Sequence, residues 1–98
     1  MSFVVAATYE SKPDREADLE GHLNAMRAPT RAEEGCEEYR IFRSRDDAPV
    51  FFLFERYRSA DDFEAHKESD HFGEHIRNGA WDCLESRSVV LCEELGDE

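Results

Sequence analysis

The sequence has little positive charge and almost no lysine. Its 98 residues carry 24 acidic and 12 basic side chains, a formal net charge of −12, and Lys12 and Lys67 are the only lysines. A strongly negative surface repels phosphate backbones and anionic lipid headgroups. We therefore expect neither nucleic acid nor a membrane as a partner. The scarcity of lysine fits either a salt-rich cytoplasm or a coding preference for arginine.

Cysteines and long apolar runs are also scarce. Cys36, Cys83 and Cys92 are odd in number and far apart, without the close pairs typical of zinc sites or redox motifs. The apolar residues 3–7 are too few to span a bilayer and follow no basic segment. These absences predict reduced thiols and a cytoplasmic protein.

The length allows one domain. Single cores occupy roughly 100 to 150 residues, so residues 1–98 are predicted to form one unit. A domain of this size buries only about 60 to 65% of the surface of its unfolded chain. Association with a second copy would add apolar burial, which favours an oligomer.

Hydrophobic spacing divides the first half of the chain into a strand, a helix and a second strand. Residues 3–9 form a β-branched and aromatic run typical of a strand. From Asp14 the spacing becomes helical, and Gly35 is predicted to end the helix with a left-handed cap. Residues 36–43 then alternate as a strand does. The predicted buried stripe of the helix consists of Leu19, Leu23, Met26 and Thr30.

The third strand, residues 50–57, follows a polar turn at residues 44–49 and is apolar on both of its faces. Even and odd positions point to opposite sides, so neither face can be left in water without cost. The even set is Val50, Phe52 and Phe54, and the odd set is Phe51, Leu53 and Tyr57.

Two serines divide the remaining helical region. Ser59 and Ser69 each have the character of an N-cap, and the second of these helices is predicted to continue through Ile76. Residues 88–92 are predicted to form the last strand. The acidic residues 93–98 are predicted to fray.

The element order β-α-β-β-α-β predicts a ferredoxin-like α+β fold, in which four antiparallel strands carry helices on one face. The other face would expose several large apolar side chains. Each is worth roughly 1.5 to 3 kcal/mol when buried, so a second sheet is expected to pack against it. The prediction is therefore a two-fold homodimer with two packed sheets.

Short motifs follow one another along the chain as they do in a known family. Glu34-Gly35-Cys36 leads into Tyr39-Arg40-Ile41-Phe42, Phe54-Glu55-Arg56-Tyr57 ends the third strand, and the pattern F-x-x-H-x-x-S-x-H-F runs from Phe63 to Phe72. Over nearly the whole chain they resemble the antibiotic biosynthesis monooxygenase domain family. The resemblance implies a dimeric α+β barrel and, among several reactions, oxidation of quinols by O₂ without a cofactor.

Two positions depart from relatives of particular activity. Members that resemble haem-degrading enzymes have an Asn in strand one and a Trp in the helix after strand three, where this chain has Ala-Ala-Thr at residues 6–8 and His66. Haem degradation is therefore less expected. Monooxygenases of polyketide rings tend to have a Trp in the same helix, so His66 also leaves the polyketide substrate class open.

His66 and Glu55 are the candidate catalytic residues. Cofactor-free oxygenation needs a base and a water-poor cavity, because an ionised phenol or quinol can itself pass an electron to O₂. His66 is the candidate base, since imidazole exchanges protons near neutral pH, and its alternative role is to cap a strand carbonyl. Glu55, on an apolar strand face, is the supporting carboxylate, and its alternative is an ion pair with Arg40 or Arg43.

Aromatic side chains and a further histidine are candidates for the wall that binds the substrate. A planar ring would stack on such a wall, although ordinary core packing accounts for the same aromatic residues. The candidates are Tyr39, Phe72, Trp81 and His71. His71 and His75 also have the i, i+4 spacing of half a metal site, but without a third ligand motif no metal is expected. The glutamate pairs at 33–34 and 37–38 are interpreted as solvated charge.

The predicted function is a cofactor-independent monooxygenase that oxidises a small quinol-like or phenolic substrate with O₂. Two other classes stay open. One is an isomerase or detoxifier of small carbonyl compounds that uses His66 as a proton shuttle, and turnover without O₂ would favour it. The other is a non-enzymatic dimer that binds a small ligand, which a cavity too small for an aromatic ring would favour.

Overall fold

The structure, a computed structural model, describes residues 2–46 and 49–96. It confirms the β-α-β-β-α-β order of a ferredoxin-like α+β fold. The strands are β1 (Phe3–Ser11), β2 (Cys36–Arg43), β3 (Val50–Tyr57) and β4 (Leu84–Glu93), and the helices are α1 (Glu16–Arg31), α2 (Ala60–Lys67) and the short α3 (Asp70–Phe72). A π-helical turn, Gly73–Arg77, and a 3₁₀ turn, Ala80–Cys83, connect α3 to β4.

The four strands form one antiparallel sheet in the order β2-β3-β1-β4. The helical segments pack on one face of this sheet, where Leu23 and Met26 of α1 share a buried core with Ala7 and Leu53 of the strands. The stripe predicted for α1, which ends at Thr30, is buried as expected. The core therefore lies between the helices and one side of the sheet.

The opposite side of the sheet is apolar and has no covering layer among the described residues. Phe52 is 39% exposed and lies beside Phe42, which is 41% exposed, with ring centroids 6.0 Å apart. Phe54 and Val90 are both aligned with Ala6 of β1, on this same side. We call the patch formed by Phe42, Phe52, Phe54 and Val90 the outer face. The presence of Phe52 and Phe54 on the outer face confirms the prediction that β3 is apolar on both sides.

α1 begins two residues later than predicted. Asp14 has a φ of 65°, a left-handed conformation that cannot be part of a right-handed α-helix, so the chain turns there. The helix then starts at Glu16, and Glu16 and Asp18 place negative charge in the first turn, where the helix dipole favours it. Among the described residues, no helix combines the length and the apolar character needed to cross a membrane.

Gly35 is not a left-handed helix cap, contrary to the prediction. α1 ends with Ala32 in a right-handed conformation, and Gly35 itself has no positive φ. A glycine is needed here because the backbone at position 35 lies very close to Asp62. A Cβ at Gly35 would be 2.2 Å from Cγ of Asp62. The glycine lets the chain before β2 pack against the start of α2, and its carbonyl accepts a hydrogen bond from the Arg58 N–H at 2.9 Å.

Both predicted serine caps are present. Oγ of Ser59 accepts a hydrogen bond from the N–H of Asp62 at 3.3 Å, and Oγ of Ser69 accepts one from the N–H of Phe72 at 3.2 Å. The helix that Ser69 begins continues as the π-helical turn up to Arg77, one residue beyond its predicted end. These caps fix where the helical segments over the sheet start.

β4 is longer than predicted and includes the start of the expected tail. It runs Leu84–Glu93 instead of residues 88–92. The prediction that residues 93–98 fray is wrong for Glu93, the last residue of β4, and for Glu94. The N–H of Glu94 donates a hydrogen bond to the carbonyl of Ser2, and the Glu94 carboxylate forms an ion pair with Arg56, both at 3.1 Å. Residues 97–98, and residues 47–48 of the predicted turn, lie outside the described residues.

Candidate active site

A cavity of about 410 Å³ lies between the helix-covered face of the sheet and the segment from α2 to the 3₁₀ turn. Its described lining consists of Val5, Ala7, Tyr9, Glu55, Phe63, Lys67, Phe72, Trp81, Arg87, Val89 and Leu91. A larger depression of about 560 Å³ on α1 and Arg43 is lined only by exposed or half-buried residues. The smaller cavity is apolar and contains the buried carboxyl group of Glu55, so it is the candidate site.

Glu55 is a buried carboxyl group on the wall of this cavity. Alternation along β3 places it on the helix-covered face, between Leu53 and Tyr57. The Tyr57 hydroxyl donates a hydrogen bond to Oε1 of Glu55 at 2.7 Å. Burial raises the pKa of Glu55 to about 7, against the lowering effect of the Tyr57 hydrogen bond and with a smaller contribution from Glu33. Glu55 can therefore take up and release a proton near neutral pH.

The ion pair considered as an alternative for Glu55 is not formed. Arg40 pairs with Glu38, and Arg43 pairs with Glu20. No arginine or lysine among the described residues forms an ion pair with Glu55. The carboxyl group is therefore buried without the cation that would hold it ionised, which is consistent with its raised pKa.

His66 lies beside Glu55 but is not among the residues that line the cavity. Its side chain is 2% exposed, with Nε2 3.9 Å from Oε1 of Glu55 and Nδ1 2.9 Å from Oε2 of Glu33. An ionised Glu33 only accepts hydrogen bonds, so we assign the ring proton to Nδ1, which leaves Nε2 as an acceptor on the side of Glu55. Burial lowers the pKa of His66, although the hydrogen bond to Glu33 opposes this. His66 is thus oriented and kept largely neutral.

The interpretation of Glu33 as solvated charge is wrong. Its carboxylate accepts hydrogen bonds from two imidazoles, at 2.9 Å from Nδ1 of His66 and 2.6 Å from Nε2 of His71. The side chains of Glu33 and His71 are 19% and 20% exposed. The series Glu55, His66, Glu33 and His71, which we call the network, therefore runs from the cavity wall to solvent. No spacing signal connects Glu33 to α2, because only folding brings the two segments together.

The network also contains a set of groups that could approach a divalent cation. Nδ1 of His66, Nε2 of His71 and an oxygen of Glu33 lie within 4.8 Å of one another, and two imidazoles with a carboxylate are suitable ligands. In this structure the same atoms are joined by hydrogen bonds of 2.6 and 2.9 Å, so donors and acceptor satisfy one another. We therefore describe the network as a hydrogen-bonded one.

His71 and His75 do not act as a pair. His71 bonds to Glu33, whereas Nδ1 of His75 lies 3.4 Å from Nδ1 of His22 on α1. The π-helical turn starts at Gly73, between the two histidines, so the i, i+4 geometry of an α-helix does not apply to them.

The predicted wall residues are divided between the cavity and its surroundings. Phe72 and Trp81 line the cavity, with their rings edge to face and centroids 6.0 Å apart. Tyr39 is 1% exposed in the core, where its ring centroid is 6.1 Å from that of His66. His71 belongs to the network and not to the lining. The roles assigned to these residues stay predictions.

Several lining residues were missed by reasoning from the sequence. Tyr9 carries a usable signal, since it continues the alternation of β1 on the helix-covered face. Arg87 carries none, because residues 84–87 precede the apolar run from which the last strand was predicted. Its guanidinium carbon lies 3.8 Å from the centroid of the Trp81 ring.

Comparisons with known proteins agree in sequence and in fold. Residues 2–78 match the family model described as Antibiotic biosynthesis monooxygenase. The protein named "Putative monooxygenase Rv0793", from Mycobacterium tuberculosis, is 41% identical over 68 residues, which are 69% of this chain and 66% of that protein, just under two thirds of its length. Its solved structure matches with a TM-score of 0.90 and 33% identity, over 99% of this chain and 98% of that one. The structure of PA3566 from Pseudomonas aeruginosa matches with a TM-score of 0.90 and 28% identity, over 97% and 95% of the two chains.

Proposed function

The chain belongs to the antibiotic biosynthesis monooxygenase family, and on this basis we propose that it oxidises a small phenolic or quinol-like molecule with O₂ in the cavity beside Glu55. The observation that carries the proposal is the placement of Glu55. Its carboxyl group is on the wall of an apolar cavity of about 410 Å³, and burial raises its pKa to about 7. A carboxylate of that pKa is a suitable base for a substrate hydroxyl at neutral pH.

Glu55, with His66 behind it, forms the proposed proton path. The substrate hydroxyl gives its proton to Glu55, and the proton passes to Nε2 of His66, 3.9 Å away, after a small rotation of either side chain. The two atoms are not hydrogen-bonded at this distance, and catalytic contacts often tighten only when substrate binds. Nδ1 of His66 can release its own proton to Glu33, which also contacts the half-buried His71. In this scheme Glu55 contacts substrate and His66 acts through it, the reverse of the roles predicted from the sequence.

The oxidation itself draws its electrons from the substrate. The anion left by proton transfer gives one electron to O₂, and the two resulting radicals combine into a peroxide anion. This anion takes back the proton held by Glu55 or His66 and becomes a hydroperoxide. Loss of water from that hydroperoxide leaves one oxygen atom on the substrate, so a substrate SH₂ and O₂ give SO and H₂O. The chain contributes the base and an aromatic wall, including Phe63 and Phe72, that keeps water away from the anion.

We further propose that the protein is a homodimer joined through the outer face and that it works in the cytoplasm. Phe42 and Phe52 are both about two-fifths exposed on a sheet face that no described residue covers, and a second copy would bury them. The three cysteines are free thiols, which suits a reducing compartment.

Oxygen uptake with a panel of hydroquinones and dihydroxynaphthalenes, using metal-free protein, tests the proposed reaction. We expect product formation with one O₂ consumed per product. Glu55→Gln is expected to lower kcat by about 10²- to 10⁴-fold, the usual range for loss of a positioned base, and His66→Gln to lower it less. Glu85→Gln, which removes an exposed carboxylate from β4, is the matched control. No uptake above the uncatalysed rate, or equal rates for Glu55→Gln and Glu85→Gln, would refute the proposal.

A second function is favoured by the same pair of groups. Glu55 and His66 are two titratable side chains in series, which is what a proton shuttle in an isomerase of small carbonyl compounds requires. Such an enzyme would turn over under anaerobic conditions with no net oxidation. Measuring substrate conversion with and without O₂ separates the two functions.

A further inference from the structure

Two cations line the cavity of a strongly acidic protein. The chain has a net charge of −12 and 12 basic side chains in all, yet Lys67 and Arg87 both belong to this one cavity. Glu55 is the one carboxyl group in the described lining, and burial raises its pKa to about 7. The described lining therefore carries more basic than acidic side chains, in contrast to the protein as a whole.

Arg87 is held at the cavity without an acidic partner. Its guanidinium carbon is 3.8 Å from the centroid of the Trp81 ring, close enough for a cation–π contact. No ion pair to Arg87 occurs within the parts of the chain that the structure describes, although the sequence has 24 acidic residues. The contact with the ring holds the guanidinium at the cavity, and its N–H donors, which have no acidic partner among the described residues, can bind an anion.

Lys67 supplies a second positive charge from α2. Its ammonium nitrogen lies 4.8 Å from the centroid of the Phe63 ring, another residue of the lining, and pairs with the exposed carboxylate of Glu64 at 3.0 Å. That exposed pair holds the ammonium only weakly. Lys67 can therefore assist an anion in the cavity, whereas Arg87 is the main candidate to bind one.

The register of the sheet separates Arg87 from Glu55. Arg87 is aligned with Tyr9, and Glu55 with Val5, so the two lie four residues apart along β1 and on the strands that flank it. That corresponds to roughly 17 Å between their Cα atoms. Both side chains reach into the same cavity, so a ligand of one or two fused rings can meet the guanidinium at one end and the carboxyl group at the other.

We propose that the substrate is an anionic aromatic compound, a phenol or quinol whose ring system also bears a carboxylate or a comparable acid group. Arg87, assisted by Lys67, binds the acid group, and the ring hydroxyl at the far end faces Glu55. The assignment of the hydroxyl rests on the proposed function, whereas the preference for an anion rests on the two cations alone. Without them, a protein of net charge −12 would repel such a molecule.

Calorimetric titration with a matched pair of redox-stable ligands tests this inference. 6-Hydroxy-2-naphthoate carries a hydroxyl and a carboxylate at opposite ends of two fused rings, and 2-naphthol lacks only the carboxylate. We expect the naphthoate to bind about tenfold more tightly than the naphthol, because its carboxylate would form partly exposed ion pairs with Arg87 and Lys67. Added salt should reduce this preference, because it screens exposed charges. Trp81 is the one tryptophan in the chain, so a shift of its indole N–H signal places the ligand in the cavity.

Three variants separate the cavity cations from general charge. Arg87→Gln is expected to reduce the preference for the naphthoate to about twofold or less, and Lys67→Met to reduce it by a smaller factor. Arg27→Gln removes the same charge from α1, away from the cavity, and is expected to leave the preference unchanged. The inference is overturned by failure of the wild type to bind either ligand, by equal binding of both, or by equal effects of Arg87→Gln and Arg27→Gln. A retained anion preference in a protein without oxygen uptake would refute only the monooxygenase.

Discussion

Glu55 is buried in the folded protein, although a carboxyl group is better solvated in water. With its pKa raised to about 7, the folded state between pH 4.5 and 7 holds a proton that the unfolded chain has already released. Stability must therefore fall as the pH rises through this interval. A group that costs stability at working pH and lies on a cavity wall is a candidate functional residue.

Glu55→Gln should remove this pH-dependent cost. A glutamine side-chain oxygen can still accept the hydrogen bond from the Tyr57 hydroxyl, but a glutamine side chain does not ionise. We expect the variant to gain stability relative to wild type as the pH rises, by about 2.5 kcal/mol between urea unfolding at about pH 5 and at about pH 8. Comparing the two proteins at each pH cancels the opposite contribution of His66, whose pKa is lowered by burial. Glu85→Gln should show no such trend, and a pH-independent difference for Glu55→Gln would contradict the raised pKa.

His71 tests whether the network carries protons or only holds His66 in place. His71→Gln removes the imidazole nearest to solvent but leaves Glu33 bonded to His66. For a proton path we expect kcat to fall several-fold with an unchanged KM, and added imidazole buffer to restore it. His75→Gln, a histidine outside the network, is the control. A loss that buffer does not rescue would indicate a structural role.

At this scale, the sequence was informative where a strand determined the geometry. Alternation in β3 put Glu55 on the buried face next to Leu53, and the structure confirms that placement. Glu33 was not predictable, because its partners lie 33 and 38 positions further along the chain. Tertiary contacts of this kind leave no local pattern in a single sequence.

Among the elements, strands with clear alternation had predictable limits and connections did not. β2 and β3 begin and end where the sequence indicated. The start of α1 and the role of Gly35 differ, because a left-handed Asp14 and the packing of α2 decide them. Both depend on contacts or conformations that helical spacing does not reveal.

The approach between Gly35 and α2 can be tested with two glycines in opposite environments. Gly35→Ala places a Cβ 2.2 Å from Cγ of Asp62, so we expect a loss of about 1 to 3 kcal/mol in the free energy of unfolding. Gly21→Ala, inside α1 with nothing within 4 Å of the new Cβ, should instead gain about 0.5 to 1 kcal/mol. Urea unfolding of both variants measures the difference. Changes of the same sign would contradict the close packing at Gly35.

For the whole molecule, the outer face determines the proposed assembly. Sedimentation equilibrium at micromolar concentration should give twice the chain mass of 11.4 kDa. Phe52→Asp introduces a charge at the centre of the outer face and should shift the protein to monomer, because a buried carboxylate without a partner costs several kcal/mol. Leu95→Asp, at a position 86% exposed outside the strands, is the control and should stay dimeric. A wild-type protein that sediments as a monomer would refute the dimer.

The chemistry proposed for the whole molecule depends above all on Glu55 being able to exchange a proton near neutral pH. The most direct measurement is a ¹³C NMR titration of the side-chain carboxyl groups, in which the Glu55 signal is identified by its absence from Glu55→Gln. A midpoint close to pH 7 is the expected result, as the pKa of about 7 requires. A midpoint near 4.5, the ordinary value for a glutamate, would show that the cavity does not perturb this carboxyl group and would contradict its role as the base.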